Sequence, residues 1–307
     1  MQPIKVPEDF NYIAVFLTFS CQLRCSYCIN HHGGDLVKGR RMQPKEWIDG
    51  LNRLDIGSRT DLPITIQGGE PTVYKGFYEV VNGVKRELPI DLLTNLEVNA
   101  EEFMSHIPRD RIRREAPYAS IRVSYHHGQS NFDALIGRVL EFQKRGYSIG
   151  VWEVEQPDIR GEVLFRAQLA HSLGIDWRIK EFLGPWKGVN HGTMRYPDAV
   201  NSNSLRNCDC RTSELLIDPS GYVFRCHSDL YANRLPVGHI LDSDFDGGVL
   251  GSWKACSVYG KCNSCDIKVK TNRFQQYGHS SVEIKNISEP TTTVTPIGKV
   301  ENTYGKA

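Results

Sequence analysis

The sequence predicts an α/β fold, namely a partial, open (β/α)6 TIM-like barrel followed by a small cysteine-rich α+β module made of a β-hairpin and a helix. Short apolar runs alternate with helical patterns from residue 13 to about residue 183, which is typical of a parallel sheet with right-handed crossovers. Six such units are visible, and the two further units that a closed eight-stranded barrel needs are not. The nine cysteines fall into two groups, within residues 21–28 and 208–265, which indicates two metal-binding regions.

The six units follow one another in order along the chain. The helix that begins at Phe132 is the clearest, because Leu135, Ile136, Val139 and Leu140 recur on one helical face. The predicted strands are residues 13–19, 63–67, 89–94, 119–125, 147–154 and 176–182. The predicted helices are residues 44–56, 76–86, a weak one from about 99, 132–140 and 162–173. In sheets of this kind ligands bind at the carboxyl ends of the strands.

Composition narrows the class of protein. With 307 residues, the chain is long enough to bury a sizeable core. Its formal net charge of +1 gives no electrostatic argument for nucleic acid as a partner. No apolar stretch is long enough to span a membrane, and the N-terminus lacks a signal-peptide core, so we expect a cytoplasmic protein. In a reducing compartment, cysteines are more often metal ligands than disulfides.

Four regions are expected from these patterns. Residues 1–185 form the partial barrel, and residues 186–207, rich in Gly, Pro, Asn and Ser, form a linking loop. Residues 208–275 form the cysteine-bearing module. The remainder, residues 276–307, has little to bury and is expected to be a mobile tail.

Three thiols, Cys21, Cys25 and Cys28, follow the first predicted strand with the spacing C-x3-C-x2-C. Thiolates are the usual ligands of iron–sulfur clusters, and a cubane cluster held by three cysteines keeps one iron open for another ligand. Zinc is an alternative if His31 or His32 joins the site. A disulfide pair and buried structural cysteines are further alternatives.

A second motif, Gly68-Gly69-Glu70-Pro71, follows the second predicted strand. The two motifs together resemble the radical SAM superfamily, whose CxxxCxxC loop carries an aromatic residue before the third cysteine, as Tyr27 does here. The resemblance implies a [4Fe–4S] cluster on the three cysteines and S-adenosylmethionine bound to its open iron. It also implies that backbone groups of Gly68, Gly69 and Glu70 hold the amino group of the cofactor.

Weaker candidates lie at the ends of later predicted strands. Asn95 and Ser124 resemble cofactor-binding positions of the superfamily, although a satisfied strand-end polar residue is an equally good interpretation. Catalytic residues are unknown from the sequence. The candidate bases or substrate contacts are His126, His127, Glu153, Glu155 and His191.

The second group of cysteines surrounds a hairpin signal, Asp218-Pro219-Ser220-Gly221, which folds Cys226 back towards Cys208 and Cys210. A C-x2-C pair, Cys262 and Cys265, follows. This region resembles the SPASM/Twitch-type auxiliary cluster domain of radical SAM enzymes. The resemblance implies a second [4Fe–4S] cluster on Cys210 (or Cys208), Cys226, Cys262 and Cys265, and a zinc ribbon on the same thiolates is the alternative.

The predicted activity is reductive cleavage of S-adenosylmethionine to a 5′-deoxyadenosyl radical, which abstracts a hydrogen atom from the substrate. Oxidation or modification of a small molecule is favoured, and peptide or protein modification is the alternative. Only about a dozen residues precede the first predicted strand, which leaves no room for a leader-peptide-binding domain there. The expected reductant is a flavodoxin or ferredoxin. A non-enzymatic zinc- or cluster-binding regulatory protein is the hypothesis from another class.

Overall fold

A computed structural model describes residues 2–30, 40–270 and 280–289. The α-helices in these residues are α1 (Pro44–Leu51), α2 (Phe77–Gly83), α3 (Ala100–His106), α4 (Phe132–Lys144), α5 (Arg160–Ser172), α6 (His227–Tyr231) and α7 (Ser264–Ile267). The strands are β1 (Ile4–Lys5), β2 (Tyr12–Thr18), β3 (Leu54–Asp55), β4 (Ile64–Gly68), β5 (Ile90–Thr94), β6 (Ile121–Tyr125), β7 (Ile149–Glu155), β8 (Trp177–Glu181), β9 (Gly184–Trp186), β10 (Val189–His191), β11 (Arg206–Thr212), β12 (Glu214–Ile217), β13 (Tyr222–Phe224), β14 (Gly238–His239), β15 (Lys254–Tyr259) and β16 (Val282–Lys285).

The main sheet has nine strands in the order β14-β13-β12-β2-β4-β5-β6-β7-β8. The six strands β2 and β4 to β8 pair in parallel with their neighbours, as six consecutive strand–helix units require. Within the described residues β8 and β14 are at opposite edges of the sheet, so the barrel is open. The predicted α/β class and partial barrel are confirmed.

The main core lies between the sheet and its helices. Alternate residues of each strand face this layer, which includes Val15, Ile66 and Val151 from the sheet and Leu135 and Ala167 from the helices. The intervening strand residues face the other way, into the interior of the partial barrel. The carboxyl ends of the parallel strands therefore surround a space lined by these interior residues.

Several element boundaries differ from the sequence prediction. Helix α1 ends at Leu51 rather than residue 56, because Leu54–Asp55 pairs in parallel with Ile4–Lys5 at the start of the chain. The expected linking loop contains a hairpin, β9 and β10, and its last residues already belong to β11.

The cysteine-bearing region is not a separate layer. Strand β12 pairs in parallel with β2, so the hairpin that carries the Asp-Pro-Ser-Gly turn extends the barrel sheet. The expected mobile tail is also wrong for part of its length, because Val282–Lys285 pairs with β11 and buries Val282 and Ile284. The rest of that prediction, residues 276–279 and 290–307, lies outside the described residues.

Among the described residues no helix combines the length and the apolar character that crossing a membrane requires.

Candidate active site

The cysteine loop is held at the end of β2 by a close backbone contact with the glycine pair. The Gly69 amide donates to the Thr18 carbonyl and the Glu70 amide donates to the Ser20 carbonyl, each at 2.8 Å. A Cβ atom on Gly69 would lie 2.2 Å from the Ser20 carbonyl oxygen, so only glycine allows this approach. Gly68 also has a φ of +144°, which L side chains rarely adopt. The glycine pair is therefore required by the packing of the cysteine loop, whatever it binds.

Glu70 joins three segments at the strand ends. Its side chain is 1% exposed, and its carboxylate accepts hydrogen bonds from the Thr72 amide, the Thr72 and Thr94 hydroxyls and the Asn95 amide. Burial raises the pKa of Glu70, and these four hydrogen bonds oppose the shift by favouring the carboxylate. Pro71 follows as the first residue of a short 3-10 helix and is buried. The Glu70 side chain thus fixes the end of β4 against the end of β5.

Asn95 connects the hydrogen-bonded Glu70 carboxylate to the cysteine loop. Its side-chain amide nitrogen lies 3.8 Å from the Cys21 sulfur, and its side-chain oxygen accepts from Gln22 at 3.3 Å. The Asn95 side chain therefore points at the loop, as expected for a residue at this strand end.

The three thiols have surroundings that suit cluster ligands. Amides donate to two of them, from Leu23 to the Cys21 sulfur and from Asn30 to the Cys28 sulfur, each at 3.3 Å. Hydrogen bonds to sulfur are among the groups that tune iron–sulfur clusters. Burial, followed by the neighbouring Cys28 and Cys21, raises the pKa of Cys25 to about 12, and burial also raises the pKa of Cys21 and Cys28. A cationic metal centre would remove this mutual repulsion, so the donor set fits an iron–sulfur cluster.

No three His, Cys, Asp or Glu side chains among residues 2–30, 40–270 and 280–289 converge as ligands of one metal ion would. A cubane site does not need such convergence, because each thiolate binds a different iron. His31 and His32, the extra ligands that zinc would need, lie outside the described residues.

An aromatic chain leads from the cysteine loop towards β8. The Tyr27 hydroxyl lies 3.1 Å from Nδ1 of His126, and the Tyr27 ring packs 6.4 Å from that of Phe182. Phe182 in turn contacts His191 on the β9–β10 hairpin, with ring centroids 5.7 Å apart. Burial, together with the Lys180 charge, lowers the pKa of His126 to about 4, so its imidazole is neutral at physiological pH. The structure thus brings Tyr27, His126 and His191 together.

The other candidate acids and bases lie elsewhere. Glu153 accepts two hydrogen bonds from Arg166 of α5, at 2.7 and 3.0 Å, and therefore faces the helix layer rather than the barrel interior. Glu155 pairs with the exposed Arg160 at 2.7 Å. His127 lies 3.7 Å from Glu162 at the start of α5. The expectation that the β7 glutamates line the substrate side is corrected, because the alternation of β7 directs Trp152 inwards instead.

Ser124 lies near the end of β6, paired in register with Trp152 of β7. It shares the interior face with Arg122, since strand residues two apart point to the same side. This position is compatible with contact to a ligand at the strand ends.

The second group of thiols is larger than the sequence predicts. Strands β11 and β15 pair so that Cys208 lies directly opposite Cys256, and Cys210 lies two residues along on β11. Hydrogen bonds with Cys256 raise the pKa of Cys208 and Cys210 and hold the pKa of Cys256 below its usual value. Cys226 and Cys262 pack against the same small core. Sequence reasoning left Cys256 out, because no nearby cysteine in the chain marks it as a ligand.

Cys265 lies on the other side of this group, towards the barrel. It is on α7, where burial raises its pKa and the Lys268 charge opposes the shift. Tyr231 is close to both cysteine regions, since burial and the charges of Cys265 and Cys28 all raise its pKa. The Tyr231 ring packs on Phe16 and Phe19, with centroids 6.3 and 6.0 Å apart. The two cysteine regions are therefore separated by one aromatic cluster.

Comparison with known proteins identifies the family. Residues 15–145, which contain the cysteine loop and the glycine pair, match the Radical SAM superfamily. This part of the chain is a Radical SAM domain. The family uses a [4Fe–4S] cluster and S-adenosylmethionine, so the resemblance noted in the sequence is confirmed and a non-enzymatic regulatory role is not supported.

Two curated relatives match different shares of the radical SAM chain. The mycofactocin maturase MftC of Mycolicibacterium smegmatis is 22% identical over 298 residues, covering 81% of this chain and 74% of the relative. The GTP 3′,8-cyclase of Caulobacter vibrioides is 32% identical over 108 residues, covering 34% of this chain and 30% of the relative.

Solved structures share the fold. A polyhistidine-tagged anSMEcpe with bound AdoMet has a TM-score of 0.53 at 14% identity, covering 90% of each chain. Native anSMEcpe with bound AdoMet and the Kp18Cys peptide has a TM-score of 0.52 at 15% identity, covering 75% of this chain and 78% of that one.

Replacement of Gly69 by alanine tests the backbone contact. The added Cβ would lie 2.2 Å from the Ser20 oxygen and 2.3 Å from the Phe19 oxygen, so the cysteine loop must move. We expect Gly69→Ala to lose about 1–3 kcal/mol of stability and to retain less iron after anaerobic reconstitution. Thermal unfolding and iron quantification measure both effects.

The matched control is Gly137→Ala in the middle of α4, where an added Cβ meets nothing within 4 Å. It should keep its iron and gain up to about 1 kcal/mol, because alanine favours helix. Equal iron retention in the two variants would contradict the assigned role of Gly69.

Proposed function

We propose that this radical SAM enzyme modifies a peptide or protein substrate, with Cys21, Cys25 and Cys28 as the ligands of its [4Fe–4S] cluster. When bound, the cluster supplies the electron that cleaves S-adenosylmethionine and so generates the radical that removes a hydrogen atom from the substrate. The observation that carries the cluster assignment is the contact of Gly69 and Glu70 with the end of β2, which fixes the thiol loop at the mouth of the barrel.

The surrounding residues have distinct tasks in this proposal. Gly68 and Gly69 carry no side chain beside the thiols, so an ammonium group can approach the backbone there. Glu70 holds Asn95 and the ends of β4 and β5 in place rather than binding the cofactor itself, because its carboxylate is already satisfied by four hydrogen bonds. Ser124 lies on the interior face, where it can donate to a cofactor oxygen.

A peptide substrate is supported by the extent of the similarity. The match to the mycofactocin maturase includes most of the chain, so it extends beyond the radical SAM half. A structural neighbour with a TM-score of 0.52 carries a bound peptide. A small-molecule substrate, which the sequence favours, is the second candidate, supported by 32% identity to a GTP cyclase over a shorter segment.

A second [4Fe–4S] cluster on the C-terminal cysteines is part of the proposal. Cys210, Cys226 and Cys262 are proposed as three of its ligands, whichever residue is the fourth. The sequence pattern indicates Cys265 as that fourth ligand. The contact of Cys256 with Cys208 and Cys210 makes Cys256 a competing fourth ligand. The expected role of such a cluster is to accept an electron from the substrate radical.

We also propose a cytoplasmic location, because cysteines that act as metal ligands are typical of a reducing compartment. A flavodoxin or ferredoxin is the proposed source of the electron.

The assignment of the thiol loop predicts the outcome of a cleavage assay. Wild-type enzyme, reconstituted anaerobically and given dithionite and S-adenosylmethionine, should release 5′-deoxyadenosine, whereas Cys25→Ala should release none above background. Ser26→Ala is the control, because Ser26 lies exposed in the same loop. Release by Cys25→Ala at the rate of the control would overturn the assignment.

Iron quantification tests the second cluster. We expect about eight irons per wild-type chain and about four in Cys226→Ser, which should retain 5′-deoxyadenosine release in the assay above. Comparison of Cys256→Ser with Cys265→Ser then identifies the fourth ligand, since only the ligand variant should lose iron. Four irons in the wild type, or zinc in place of labile sulfide, would contradict the second cluster.

A further inference from the structure

A group of cationic side chains lines the interior of the partial barrel. Trp152 of β7 faces this interior, because its neighbours Val151 and Glu153 face the helices. Lys180 of β8 is on the same side, with its ammonium 6.0 Å from the centre of the Trp152 ring. Arg122 of β6 also points inwards, towards the Asp91 carboxylate. The two neighbours of β7, strands β6 and β8, therefore both direct a positively charged side chain into the barrel interior.

Lys180 has no compensating carboxylate there. Among residues 2–30, 40–270 and 280–289 its ammonium makes no hydrogen bond or ion pair, and it lies near the Trp152 ring. Burial and the positive charges of Arg122 and Lys268 lower the pKa of Lys180 to about 7, and the charge of Cys265 opposes this shift. The side chain is nevertheless accessible within the barrel interior, so a ligand can reach it.

The acidic groups nearby are already engaged. Asp91 is fully buried and is shared between Arg122 at 2.7 Å and Arg114 at 2.9 Å. Nε of Arg122 still has no hydrogen-bond partner in the described part of the chain. Asp176 pairs with Arg178 on the same strand as Lys180. One unmatched ammonium and one incompletely paired guanidinium therefore remain.

Like charges that face one space repel each other, and a ligand that supplies the opposite charge relieves this repulsion. The location fits a substrate. Lys180 is close enough to His126 to lower its pKa, and His126 contacts Tyr27 of the cysteine loop. The cationic group is thus next to the loop that initiates the chemistry.

We propose that Lys180, with Arg122, forms a subsite for an anionic group of the substrate, a carboxylate or a phosphate. The identity of that ligand as the substrate rests on the proposed radical function, whereas the binding of an anion does not. Charge-assisted hydrogen bonds from Lys180 and Arg122 would hold the anion, and Trp152 would pack against the adjoining part of the molecule. The subsite would fix the distance between the anion and the hydrogen atom that is removed.

The test measures the reactivity of lysines in the reconstituted enzyme. An acylating reagent is applied at neutral pH, and the modification of each lysine is followed by peptide mass spectrometry in chloride, inorganic phosphate or N-acetylglycine at equal ionic strength. We expect phosphate or N-acetylglycine to slow acylation of Lys180 about tenfold and to leave the surface residues Lys45 and Lys187 unchanged. The anion that protects better distinguishes a phosphate from a carboxylate substrate.

A fourth condition of the acylation experiment contains S-adenosylmethionine without the two anions. If it protects Lys180 as well as the two anions do, the subsite belongs to the carboxylate of the cofactor and the substrate assignment is overturned. Equal acylation of Lys180 in all four conditions would overturn the anion site itself. Neither readout needs turnover, so loss of 5′-deoxyadenosine release with retained protection would count against the radical function and not against the subsite.

A variant separates this site from other anion sites. Phosphate should raise the melting temperature of the wild type relative to chloride, and Lys180→Met should abolish that increase. Because Lys180 is an uncompensated charge, the variant should melt no lower than the wild type in chloride. Lys187→Met is the control, since Lys187 pairs with Asp158 outside the barrel interior and should keep the phosphate effect. An unchanged phosphate effect in Lys180→Met would contradict the proposal.

Discussion

The site depends on one close contact between two backbones. Where β4 leaves the sheet, Gly68 and Gly69 approach the carbonyl groups that end β2 so closely that no side chain fits between them. This contact fixes the start of the cysteine loop relative to the strand ends. The buried carboxylate of Glu70 then fixes the end of β5 by accepting from the Asn95 amide. The side chain of Asn95 in turn contacts the Cys21 sulfur. Thiols, glycines and strand ends are therefore one connected unit.

The remaining features are arranged around this unit. Cys25 is buried and Cys21 and Cys28 are half-buried, and the pKa of all three thiols is raised, which a bound metal cluster would reverse. Aromatic residues occupy two sides, with Tyr27 and His126 towards the barrel interior and Tyr231 towards the second thiol group. The interior itself contains the Lys180 ammonium and the Arg122 guanidinium. A radical generated at the loop would meet a substrate held between these groups.

The sequence predicted the six strand–helix units and the cysteine loop because each depends on local patterns, such as apolar runs and short spacings. Cys256 was missed because its position opposite Cys208 depends on the pairing of two strands far apart in the chain. The strand Val282–Lys285 is difficult to predict from the sequence, because it has only two buried apolar residues. Glu153 and Glu155 are candidate substrate contacts by sequence, yet they pair with Arg166 and Arg160, because alternation gives a strand two faces but does not say which one faces the helices.

Electron paramagnetic resonance of the reduced first cluster tests the central claim most directly. In Cys226→Ser, which isolates the loop cluster from the second one, the dithionite-reduced protein should give one [4Fe–4S] signal. Addition of S-adenosylmethionine should shift the g values of that signal, because the cofactor binds the iron that three cysteines leave open. A signal that is unchanged by S-adenosylmethionine would show that the cluster has no open iron and would contradict this account.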